Sequence, residues 1–228
     1  MHTTSSRSTR LLASVMASFV ALATLGCTSL ATRTQTSVPL ELSFQTHATF
    51  FSSETHQPRT LDPQVFVRDP EARAGIGPQN IEHGAGLRPA FANESVSTPI
   101  YTARGEPLAP LTLGTWLAAR GSVSIRPREG GASLSAVFSG LRPTGIYSLF
   151  QNHFDQKPVG FTPLDGTGTT NTFTADADGN ARVFLVMPAM PTGANAVLLV
   201  YHSDREAHGM SRGMIGVNAH HQLIAKVP

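Results

Sequence analysis

Residues 121–151, GSVSIRPREGGASLSAVFSGLRPTGIYSLFQ, decide the fold. Leu134, Ala136 and Phe138 alternate with small polar residues, the period of a strand with one buried and one wet face. The connectors Arg128-Glu129-Gly130-Gly131 and Pro143-Thr144-Gly145 are turn chemistry. Working outward, the same texture predicts strands over 121–126, 132–138, 145–151, 170–175, 181–186, 196–202 and 221–226. Strands spaced by roughly ten residues and parted by Gly, Pro and Asp turns point to an all-β fold. The expected architecture is an antiparallel immunoglobulin-like β-sandwich over 113–228, preceded by an irregular Pro/Gly-rich arm. Val183–Val186 and Val197–Val200 are apolar on both faces and are expected to be central strands. Trp116-Leu117 begins either a strand or a short helical turn.

Upstream of residue 113 the pattern weakens. Val38, Leu40, Leu42 and Phe44 alternate, and Ala48–Phe51 is apolar, so both stretches are read as strands. From Ser52 to Thr112 eight prolines and several glycines interrupt every run, leaving only Gln64–Val67 and Ile100–Thr102 with a strand-like pattern. Residues 38–112 are therefore expected to form the irregular arm with a few short strands.

The first 26 residues read as an export signal. Arg7 and Arg10 precede an uncharged apolar run from Leu11 to Leu25, too short to span a bilayer as a helix. The one cysteine of the chain closes that run, in Thr24-Leu25-Gly26-Cys27. This resembles the lipobox of bacterial lipoproteins, with Thr24 where the pattern usually has Leu. The resemblance implies cleavage before Cys27, acylation of its thiol and amine, and a lipid bilayer as partner. Thr28 after the cysteine, rather than Asp, points to the outer membrane, on its periplasmic or surface face. Residues 27–37 are polar and rich in Thr and Ser, a tether suited to such an anchor.

Charge excludes several functions. Arg7 and Arg10 leave with the signal, and the remaining 15 basic residues balance the 15 acidic ones, all of which follow residue 40. With no basic stripe and no Gly-rich phosphate loop, neither nucleic acid nor nucleotide is an expected partner. A charged fraction of 14% with 20 Gly and 16 Pro also excludes a coiled coil or helical bundle.

Several segments resemble an uncharacterised family of exported bacterial and archaeal proteins. They are Gly114-Thr-Trp-Leu, Ser139–Phe150, Asn171–Asn180 and Val200-Tyr-His-Ser-Asp followed by His208-Gly. The resemblance spans about residues 113–215, implies a β-sandwich outside the cytoplasm, and brings no activity or catalytic residue.

The histidines carry what chemistry the sequence suggests. Eight of nine follow the signal, and His202, His208, His220 and His221 cluster with Met210 and Met214. Imidazole and thioether are ligands of exported copper proteins, so copper is the expected ion and His202, His208, Met210, His220 and His221 the candidate ligands. Adjacent strand residues face opposite ways, so only one of His220 and His221 can share a side with His202. The competing interpretation makes His202 a buried strand residue and Met187 and Met190 core filler. A zinc hydrolase would draw a base from Asp204 or Glu206. Asp176-Ala-Asp178-Gly-Asn180 places oxygens like a calcium loop, but its Gly is misplaced and no closing Glu follows, so a hairpin turn is expected. The function expected is a membrane-anchored binding or scaffold protein at the cell envelope, non-enzymatic and with an envelope protein as possible partner. The alternative is a metal-binding protein.

Overall fold

The computed structural model describes residues 38–228; the signal, Cys27 and the tether lie outside the described residues. Chain order begins with β1 (Leu40–Ser43), β2 (Gln45–Thr46) and helix α1 (His47–Glu54). Next come β3 (Leu61–Arg68), β4 (Gly75–Ile76), β5 (Glu82–His83), β6 (Leu87–Phe91), β7 (Pro99–Tyr101) and β8 (Pro107–Thr112). Helix α2 (Leu113–Ala118) leads into β9 (Arg120–Arg128), β10 (Gly131–Ser139), β11 (Ile146–His153) and β12 (Gly160–Pro163). The chain ends with β13 (Thr172–Thr174), β14 (Ala181–Met187), β15 (Asn195–His202) and β16 (Ala219–Lys226).

Two antiparallel sheets make the sandwich. One runs β1-β9-β10-β14; the other runs β12-β11-β15-β16-β2, with β13 also on β11. The steps β10 to β11 and β14 to β15 both change sheet, so β9-β10-β14 faces β11-β15-β16 in the Greek-key order of an immunoglobulin-like sandwich. Inward residues of the two sheets meet in one core, including Ile125, Leu134, Phe138, Leu149, Leu199 and Leu223. Tyr147 closes one end of it, its hydroxyl accepting from the Arg142 backbone N–H at 2.8 Å. The sandwich draws β1 and β2 from before residue 113, because β1 pairs with β9 and β2 with β16.

Residues 52–112 carry more order than their composition predicts. Strands β6-β3-β7-β8 form a third antiparallel sheet, and β4-β5 a small ribbon. The prolines fit because they accompany irregular pairing: the register shifts between Asp62 and Phe66, around Pro63, and between Pro99 and Tyr101. Buried polar contacts tie this sheet to the sandwich. Trp116 Nε1 donates to Asp62 Oδ2 at 2.7 Å, and the Gln64 side chain and carbonyl serve β16. Asp62 is buried, and burial raises its carboxyl to about 6 against the pull of the Trp116 bond and of the Gln64 and Val65 N–H groups.

Three expectations change. Ala48–Phe51 lies in helix α1, not a strand: Thr46 caps it, its hydroxyl accepting from the Thr49 N–H, and Phe50 covers the outer face of the second sheet. Strand β14 is an edge strand, with Phe184 75% and Val186 50% exposed. Strand β15 alone matches the central-strand pattern, all eight of its residues being buried. Asp176–Asn180 is a turn whose backbone N–H groups at 178 and 180 bond Asp176 Oδ1. It joins β13 and β14, which belong to different sheets, so it is not a hairpin.

Candidate metal centre

Strand β15 ends at His202, opposite Ile146 of β11 and Ala219 of β16. Alternation puts its side chain on the face of Leu198 and Val200, the face under α1. The ring is fully buried. Its Nε2 lies 2.8 Å from Ser148 Oγ, which lies 2.8 Å from Thr172 Oγ1 of β13. Its Nδ1 is buried and has no hydrogen-bond partner. Burial first, then the nearby His208, lowers the His202 pKa to about 4, with Asp204 opposing. The ring is therefore neutral near pH 7 and has a lone pair to offer.

The chain leaves the strand and turns back at once. His208 comes within 5.0 Å of His202, ring centre to ring centre, and its Nε2 is 3.0 Å from Asp204 Oδ2. Asp204 is held by two donors: Asn218 Nδ2 to Oδ2 at 2.8 Å and the Glu206 N–H to Oδ1 at 3.2 Å. One ligand atom from each of His202, Asp204 and His208 falls within 4.8 Å of the other two. Tetrahedral bonds of about 2.0 Å would set such atoms about 3.3 Å apart, so a small contraction makes a coordination sphere. His202 is at the buried end of the group, Asp204 and His208 at the solvent end.

A second loop braces this one. Asp165 accepts from the backbone N–H groups of Thr167, Gly168, Thr169 and Thr170, which holds its carboxyl well below the usual range. The clamp presents Gly168, at φ +72°, to Gly209 so closely that a Cβ there would lie 2.4 Å from the Gly209 carbonyl carbon.

Of the five ligands expected from the sequence, the structure brings together His202 and His208. Met210 is 61% exposed. His220 faces the opposite side of the sheet, with Tyr201 and Trp116. Its Nδ1 donates to the Gln64 carbonyl at 3.0 Å and its Nε2 is 3.3 Å from Ser203 Oγ, so both nitrogens are engaged. His221 has the side shared with His202, but its Nε2 accepts from Arg212 Nη1 at 2.9 Å and its ring meets His47 edge-on. Asp204 replaces these three. The sequence signal for it is His202-x-Asp204-x3-His208, a carboxylate between two imidazoles directly after a strand.

Ser148 and His202 stand at the distance of a nucleophile–base pair, but Ser148 is 1% exposed and His202 none. The serine fixes the ring rather than meeting a substrate. Comparison with known proteins finds no family model, no curated protein and no solved structure that matches this chain.

Proposed function

We propose that this chain is a lipid-anchored envelope protein whose β-sandwich binds a divalent transition-metal ion through His202, Asp204 and His208. The observation that carries the reading is the convergence of His202, Asp204 and His208, one ligand atom of each within 4.8 Å of the other two, at a histidine whose Nδ1 is buried and unpartnered. His220, by contrast, has both nitrogens engaged; His47 Nδ1 is likewise buried and unpartnered, but His47 belongs to no such donor group among the described residues.

Donor chemistry selects the ion. Two imidazoles and a carboxylate suit Zn2+. Imidazole and carboxylate donors make zinc, rather than copper, the ion proposed. The ion would lock the loop after β15 onto the sandwich and leave a coordination position open toward solvent. That is the chemistry of a binding or scaffold module, with Cys27 and its tether holding the site near the membrane and an envelope protein as possible partner.

Fractionation and elemental analysis test the two halves separately. The wild-type chain is expected in the membrane fraction, carrying zinc. Cys27→Ser is expected in the soluble fraction with its zinc retained, and His202→Ala in the membrane fraction without it. A Cys27→Ser chain that stays with the membrane overturns the anchor. Equal zinc in wild type and His202→Ala overturns the site.

A further inference from the structure

The loop between β15 and β16 carries a second unsatisfied group, separate from the metal ligands. Arg212 faces a cavity of about 480 Å3 that it shares with His221, Phe161 of β12, Pro158, Val159 and Ile215. Its guanidinium carbon stands 3.2 Å from the centre of the Phe161 ring, and one of its nitrogens donates to His221 Nε2. Stacking and that bond fix the plane of the group. Among the described residues it makes no other hydrogen bond and pairs with no carboxylate: the ion pairs involve Arg88, His208 and Lys226.

A half-buried cation without a counter-ion is unfavourable, and the groups beneath it do not help. His221 must keep Nε2 unprotonated to accept from arginine, so it is neutral. His47, edge-on to His221, is held neutral by burial and then by the Arg212 charge, its pKa down to about 3. Burial draws Arg212 itself down to about 10, which leaves it charged at neutral pH.

We infer that this cavity is a binding site for a small organic monocarboxylate with an apolar body. A fixed guanidinium with free N–H groups matches the two oxygens of a carboxylate. Apart from Gln79, the walls beyond it are Pro158, Val159 and Ile215, whose hydrocarbon suits an aromatic or short aliphatic body. The volume lies within the range of small-molecule sites. A free phosphate ion would leave those walls unused and would want more donors than one arginine supplies.

The test is titration of the full chain, freed of metal, with benzoate, benzamide and inorganic phosphate, followed by calorimetry and by nuclear magnetic resonance. Benzoate is expected to bind saturably, and benzamide and phosphate at least tenfold more weakly. Arg212→Gln is expected to weaken benzoate at least tenfold, and because the chain is free of metal, capture of the carboxylate by an ion plays no part. If Arg212→Gln does not fold, the wild-type chain decides: benzoate should protect Arg212 from phenylglyoxal modification mapped by mass spectrometry. No saturable benzoate binding, equal binding of benzamide, tighter binding of phosphate, unchanged affinity in a folded Arg212→Gln, or no protection of Arg212 would each overturn the assignment.

Discussion

Ser148 Oγ and His202 Nε2 meet at 2.8 Å inside the second sheet, and this contact sets which nitrogen of His202 is left for a metal. Both groups are sealed from water, and Thr172 Oγ1 takes up the other side of the serine hydroxyl. When His202 donates from Nε2 along this chain, Nδ1 keeps its lone pair free for a ligand.

Removing the serine tests that role. Ser148→Ala deletes the orienting contact without touching a ligand, so zinc affinity is expected to fall about 10–100-fold. The fold should survive at a cost of about 1–3 kcal/mol for the unpaired buried nitrogen. Calorimetric titration and thermal melts read both numbers. Wild-type affinity in a folded Ser148→Ala would remove the serine from the site.

The brace at Gly168 gives a different handle. An alanine there is strained by φ +72° and collides with the backbone at Gly209 and Met210, beside His208. Gly86 has a similar φ of +76° but nothing within 4 Å of the added methyl. Both Gly→Ala changes are expected to cost about 1–3 kcal/mol from backbone strain alone. Only Gly168→Ala should also weaken zinc binding. Equal zinc affinity in the two variants would show that the Gly168 contact does not position the loop.

Acid stability follows from buried histidines away from the metal group. Burial lowers His47 to about 3, His220 to about 4, and His221 in the same direction. Unfolded imidazoles protonate near 6.5. Below that pH the unfolded chain binds more protons, so the stability these groups contribute is complete above 6.5 and is lost as pH falls toward 4. Asp62 acts oppositely. Its raised carboxyl, near 6, is most favourable below the unfolded value of about 3.9 and loses that advantage as pH rises through 6. Three histidines outweigh one aspartate, at about 1.4 kcal/mol per tenfold change in proton affinity. Urea midpoints of the metal-free chain are expected to fall between pH 6.5 and 4, and to fall more steeply in Asp62→Asn. A midpoint that rises on acidification would reverse the balance.

How far the sequence reaches differs from residue to residue. Strand β10 is plain because Leu134, Ala136 and Phe138 are buried while Ser135 and Val137 between them are not. Strand β15 was plain because nothing along it is exposed. Strand β14 misled for the same reason: Val183–Val186 is as apolar as a central strand, and its edge position depends on sheet order that no local pattern encodes. The third sheet was hidden by Pro63, Pro89, Pro99, Pro107 and Pro110, which break periodicity but sit in short strands with shifted registers. At the site, closeness in sequence found His202 and His208. Alternation separated His220 from them, but the partners that occupy His220 and His221, Gln64 and Arg212, come from distant or unpatterned segments. Asp204 is visible as an acid beside the histidines, but nothing local distinguishes a base from a ligand.

The most direct measurement is a zinc titration of the metal-free full chain, purified without a polyhistidine tag, alongside Asp204→Asn, His208→Ala and Met210→Leu. The account predicts one zinc ion per wild-type chain and an unchanged Met210→Leu. It predicts losses in the first two variants larger than the roughly 10–100-fold expected for an orienting contact. No stoichiometric zinc binding by the wild-type chain, or binding that survives both Asp204→Asn and His208→Ala, would contradict it.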